Sequence, residues 1–149
     1  MGDTILFVED SPDDQFLFEH TIRKLPFEIH VQFANDGDAA LDYLKGEAQF
    51  SDRLGFPLPT VIFLDIKMPG RGGFEVLEWL KKESPPHLRR IPVVMFSSSG
   101  AQEDIDRAYD LGASAYLVKP SGFDKLHGLF KATGEFFIEH AERPTVVPR

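Results

Sequence analysis

Three short apolar runs, Ile5–Val8, Val61–Leu64 and Val93–Phe96, contain no alternation with polar residues, and each is followed at once by a residue able to carry charge or a hydroxyl. A strand with one wet face alternates with period two, whereas a strand covered on both faces has no need to. The runs therefore predict central strands of a parallel sheet with helices on both sides. A shorter run, Tyr116–Val118, reads as a further strand. His30–Phe33 alternates, with Val31 and Phe33 set against His30 and Gln32, and reads as an edge strand.

Helical segments fall between these strands. Ser11 suits an N-cap, Pro12 the first helical position, and Asp13 and Asp14 the first turn, where the helix dipole favours negative charge. Phe18, Ile22 and Leu25 give that helix its apolar stripe. Further helices are expected over Asp38–Lys45, Phe74–Glu83, Gln102–Leu111 and Phe123–Ala141. Five strands alternating with five helices imply a doubly wound α/β fold with right-handed crossovers. Residues 46–59, carrying Phe50, Leu54, Phe56 and Leu58, are expected to be an apolar loop insertion packed against the rest. One domain over residues 1–141 and a short flexible tail over 142–149 complete the expected organisation.

Composition narrows the function. The formal net charge of -8 leaves no basic stripe for nucleic acid; Lys81, Lys82, Arg89 and Arg90 are interrupted by Glu83 and two prolines. With no cysteine, disulfides, thiolate zinc sites and redox motifs are excluded. No apolar run is long enough for a membrane span, and the first residues lack the pattern of a signal peptide, so the expected location is cytoplasmic. The five histidines show no metal-ligand spacing, and Gly70–Gly73 lacks the Lys-Ser/Thr ending of a phosphate-binding loop and reads as a flexible turn.

The chemistry lies at the strand ends. The first run ends in Glu9-Asp10, the third strand in Asp65, the fourth in Ser97 and the fifth in Lys119-Pro120. In a doubly wound sheet, ligands bind outside the carboxyl ends of the strands where strand order reverses, so these side chains are expected to converge. Three close carboxylates repel one another unless a cation joins them, and Mg²⁺ is the hard, oxygen-seeking ion that fits.

The segments Leu6–Asp10, Leu64–Gly70, Val94–Ser97 and Gly112–Pro120 together resemble the receiver domain of two-component response regulators, over Ile5 to about Phe137. Asp36–Leu41, Leu88–Pro92 and the apolar loop before the third strand more narrowly resemble the stand-alone regulators paired with phytochrome-type histidine kinases. The resemblance implies a flavodoxin-like receiver fold with strand order 2-1-3-4-5. It implies Asp65 as the residue that takes a phosphoryl group from a sensor kinase or a histidine phosphotransfer protein. Asp10 and Asp65 would ligate Mg²⁺, Glu9 through water, and Lys67 through its backbone carbonyl. Lys119 and Ser97 would contact the phosphoryl group, Ser97 and Tyr116 would act as the switch, and the Lys119–Pro120 bond would be cis. Lys67 and Ser99, two residues beyond Asp65 and Ser97, would tune hydrolysis; a long ammonium and a short hydroxyl there imply a slow loss of phosphate.

Rival readings meet specific obstacles. A phosphohydrolase using an aspartyl-phosphate wants a second acid two residues after the nucleophile, where this chain has Lys67. A flavin or nucleotide binder wants a phosphate loop after the first strand, where Glu9-Asp10-Ser11-Pro12-Asp13-Asp14 would repel phosphate. A scaffold that takes no phosphate fits poorly with chemically competent residues at all the site positions. With no effector domain in view, output is expected through a partner-binding surface of the last strand and the helices on either side of it. Phe136, Phe137 and Ile138 make that last helix apolar on several sides, which suggests a homodimer.

Overall fold

The computed structural model describes residues 2–68 and 70–146. The uninterrupted apolar runs occupy the middle of one parallel sheet: β1 (Asp3–Val8), β3 (Val61–Leu64) and β4 (Val93–Ser97), every residue of β3 and β4 being buried. β2 (Ile29–Ala34) and β5 (Ala115–Val118) form the edges and are only partly covered. The order β2-β1-β3-β4-β5 is the expected one, and the strand ends are in step: Val8 pairs with Leu64 and Leu64 with Met95.

Around the sheet lie α1 (Pro12–Arg23), α2 (Gly37–Lys45), α3 (Gly73–Glu78), α4 (Pro86–Arg89), α5 (Gln102–Asp110) and α6 (Phe123–Glu135). Ser11 caps α1 as expected, its Oγ accepting from the Asp14 amide at 3.3 Å, and Asp36 caps α2 by accepting from Ala39 at 2.7 Å. π turns at Trp79–Glu83 and Phe136–His140 continue α3 and α6 to the lengths expected.

Five helices were expected, and the described residues contain a sixth, α4. The pair Pro85-Pro86 reads as a break. Pro86 instead occupies the first turn of α4, where a missing N–H costs nothing because that donor has no intrahelical acceptor.

One layer of the core is aromatic. Phe7 stacks on Phe18 at 4.2 Å between centroids, and Phe63, Phe96 and Phe130 close round them, tying α1 and α6 to the central strands. The opposite layer is aliphatic, with Leu44, Leu64, Leu77, Leu80 and Met95. Within residues 46–59, Phe50 and Phe56 pack on Tyr43, and Leu58 packs on the aliphatic layer. Leu54 departs from expectation: it is 92% exposed.

Of the segment read as a tail, Arg143 pairs with Asp3 and donates to the Ile138 carbonyl, and Val146 packs against the aliphatic layer. Residues 147–149 lie outside the described residues. No helix among the described residues is long and apolar enough to cross a membrane.

Candidate functional site

Because β1, β3, β4 and β5 are parallel and end in step, the residues just beyond them meet at one edge. Glu9, Asp10 and Asp65 each offer a carboxylate oxygen within 4.8 Å of the others. Glu9 and Asp65 are buried, while Asp10 is exposed. The Lys119 ammonium reaches across from β5 to Glu9 Oε1 at 2.5 Å, Asp14 Oδ2 at 3.1 Å and Asp65 Oδ2 at 3.5 Å, and lies 4.5 Å from the Phe96 ring centroid.

One ammonium cannot balance three carboxylates. Burial, against the pull of Lys119 and with the repulsion of Asp65, pushes the Glu9 carboxyl up to about 8. Burial alone would lower Lys119, but the Glu9 hydrogen bond and the Asp65 charge hold it above its ordinary value. A site in which burial and a neighbouring acid both oppose ionisation of its most buried carboxyl is short of positive charge. The donor set, three hard oxygens in one crevice, fits a divalent cation of the magnesium or manganese type.

Backbone contacts fix these acids. Glu9 Oε2 accepts from the amides of Asp10 at 2.9 Å and Ser11 at 3.3 Å, and Gln15 donates to the Glu9 carbonyl at 2.6 Å. Behind Asp65 stands Gly73, the first residue of α3: a Cβ there would lie 2.1 Å from the Asp65 carbonyl oxygen. Its amide donates to the Ile66 carbonyl at 3.0 Å. At its Gly73 end, the Gly70–Gly73 segment is thus a close-packed support for Asp65, while Gly70 and Arg71 are exposed.

Ser97 is buried, at the same sheet edge as Asp65, and its Oγ accepts from the Ser99 amide at 3.1 Å. Ser99 and Tyr116 belong to a neighbouring network: Tyr116 Oη donates to the Ser99 carbonyl at 2.8 Å, and Ser99 Oγ donates to Asp104 at 2.6 Å. Lys67 is exposed.

The Lys119–Pro120 bond is trans, which corrects the expectation of a cis bond. Trans is the lower-energy isomer by about 0.5–1 kcal/mol, and Lys119 reaches all three carboxylates from it. Asp14, assigned from sequence to the helix dipole alone, is also a partner of Lys119. Nothing local in the sequence signals that contact, because it joins residues 105 positions apart. Asp104 was likewise missed.

The family model described as the response regulator receiver domain matches residues 5–131. The chain belongs to this family. Among receivers, it is 34% identical to the probable methanogenesis regulatory protein FilR2 of Methanothrix harundinacea, over 90% of this chain and 83% of that one. It is 30% identical to the response regulator Rcp1 of Synechocystis, over 94% and 92%. A crystal structure of the Mn(2+)-bound form of Rcp1 superimposes with a TM-score of 0.87 at 30% identity, covering 95% of this chain and 99% of that one. The phosphorylated cyanobacterial phytochrome response regulator RcpA gives 0.89 at 32% identity, covering 97% and 99%. This receiver is thus a two-component signalling protein homologous to stand-alone phytochrome response regulators.

Proposed function

We propose that this receiver is a switch thrown by phosphorylation of Asp65, with the phosphoryl group coming from a histidine of a sensor kinase, of the phytochrome-type class, or from a histidine phosphotransfer protein. The observation that carries the reading is the Lys119 ammonium held between Glu9, Asp14 and Asp65. That cation stands where a phosphoryl group on Asp65 would bring negative charge. An Asp65 oxygen attacks phosphorus, the P–N bond of the phosphohistidine breaks, and its electron pair returns to the imidazole.

Asp10 and Asp65 would hold Mg²⁺ directly, Glu9 through water, and the Lys67 carbonyl would supply a further oxygen. When bound, the ion neutralises charge on the transferring group. Lys119 and Ser97 then engage the phosphoryl oxygens, and Ser97 pulls on the loop it shares with Ser99. That loop is the one Tyr116 holds by its hydroxyl, which couples the site to β5 and α5.

Two features suit the partners. Phe16 and Phe123, both exposed, flank a groove of about 400 Å³ beside Asp14 and Pro120, an apolar landing for the donor next to the nucleophile. Tyr109, Val118 and Phe136 leave apolar surface on α5, β5 and the end of α6, which is the proposed output face.

The test is intact mass spectrometry after treatment with acetyl phosphate. The expected result is a gain of one phosphoryl group that requires Mg²⁺, is lost in Asp65→Asn and is strongly reduced in Asp10→Ala. An undiminished gain in Asp65→Asn would overturn the assignment.

A further inference from the structure

We propose that this chain carries a second site, for a small amphiphilic anion, in a cavity at the end of the sheet opposite Asp65. The cavity, about 630 Å³, opens between the C-terminal ends of α2 and α3, the 46–59 loop and α4. Leu44, Leu58, Trp79, Leu88 and Val146 supply its apolar wall. In a doubly wound fold the helices return to the amino ends of the strands, so the cavity shares no residue with Glu9, Asp65 or Lys119. Its volume falls in the range of sites that enclose small organic molecules.

The charge of the lining selects the ligand. Lys45, Arg53 and His87 line the cavity and no acidic residue does among the described residues, although the formal net charge of the chain is -8. Arg53 commits Nη1 and Nη2 to the carbonyls of Tyr43, Leu44 and Phe56, which fixes its charge at the cavity mouth. Lys45 is exposed, with Nζ 5.3 Å from the Trp79 ring centroid, and makes no ion pair among the described residues. An apolar body against Trp79 and Leu58, with an anionic head at Lys45, meets both halves of this lining. A neutral hydrophobe forgoes the lysine, and a cation is repelled by it. Five separate segments wall the space, which suits a molecule of two or three rings or a short acyl chain better than a length of polypeptide.

Trp79 is the sole tryptophan in the sequence, so the cavity carries its own reporter. The probe is 8-anilinonaphthalene-1-sulfonate, added to the full chain, with excitation of Trp79 and detection of transferred emission. N-phenyl-1-naphthylamine, which lacks the sulfonate, is the neutral control, and sodium decanoate is the competitor. The expected result is saturable one-site transfer, displaced by decanoate, with Lys45→Glu weakening binding about tenfold and Lys45→Arg keeping it, the scale of one charge-assisted contact. Equal binding by Asp65→Asn is expected, since the proposal is independent of the phosphorylation site. Absence of saturable transfer, equal affinity for the neutral control, or unchanged affinity in Lys45→Glu would overturn it. So would Trp79 emission that shifts with protein concentration alone, which would mean that a second copy covers the cavity.

Discussion

Glu9 shows how far one residue feels its site. Its carboxyl is pushed from 4.5 to about 8, chiefly by burial, in a crevice with more anions than cations. Below about pH 4.5 both the folded and the unfolded chain hold that proton, and nothing is lost. Between about 4.5 and 8 the unfolded chain has released it and the folded one has not, so stability falls as pH rises; above 8 the loss is complete. Thermal melts of the metal-free protein are expected to decline across this window, to a smaller extent in Glu9→Gln and with Mg²⁺ present, because a cation held by Asp10 and Asp65 favours the ionised form of the neighbouring Glu9. An identical decline in wild type and Glu9→Gln would exclude Glu9 as its source. Lys67 and Ser99 make a second residue-scale case. Lys67 is exposed beside Asp65, free to lie over an acyl phosphate, and Ser99 Oγ is held by Asp104, away from any role in orienting water. We expect slow loss of phosphate in wild type and faster loss in Lys67→Asn and in Ser99→Glu, followed by intact mass over time. Loss within seconds in wild type, or slower loss in both variants, would remove the shielding role.

At the scale of elements, α2 and the 46–59 loop form one unit. Gly46 ends α2 in the left-handed region at φ 71°, Arg53 binds the Tyr43 and Leu44 carbonyls at 2.7 and 2.8 Å, and the Tyr43 hydroxyl donates to the Pro57 carbonyl. Burial pushes the Tyr43 phenol from 10.0 to about 12. Stability that is intact below pH 10 is therefore expected to fall between about 10 and 12, by roughly 1.4 kcal/mol per pH unit, as the unfolded chain ionises first. Tyr43→Phe should flatten that fall in denaturant titrations while costing about 1 kcal/mol at every pH for the lost hydrogen bond. At the start of α3, Gly73→Ala forces a methyl group onto the Asp65 backbone and is expected to cost about 1–3 kcal/mol. The strand-end residues were legible in the sequence because each follows an apolar run that must be a buried strand, and parallel order does the rest. Asp14 was legible only as a first-turn acid, since its partner Lys119 lies just beyond β5, 105 positions along the chain. α4 hid behind two prolines. Leu54 reads as one more packed apolar residue, yet it is exposed while its neighbour Arg53 bonds the Tyr43, Leu44 and Phe56 carbonyls, an arrangement no local pattern reveals.

Across the whole molecule, the proposed switch requires that phosphorylation of Asp65 be felt at a surface beyond the crevice. Moving a two-state equilibrium from 1:99 to 99:1 takes about 5.5 kcal/mol of differential stabilisation, so the Ser97–Ser99–Tyr116 link must be well coupled to α5 and β5. The homodimer suggested by Phe136, Phe137 and Ile138 has less surface than the sequence implied: Ile138 is in the core, Phe137 is half-buried, and Phe136 alone of the three is exposed. We expect any self-association to increase on phosphorylation and to be lost in Phe136→Glu, read by light scattering; a strict monomer in both states would discard the dimer. The placement of Arg53 has a further consequence. Its bonds close within α2 and its own loop, so the exposed Leu54 beside it hangs from an anchorage that owes nothing to the phosphorylation crevice. Substitutions at that tip can therefore accumulate through descent without disturbing Glu9, Asp65 and Lys119 at the other end of the sheet.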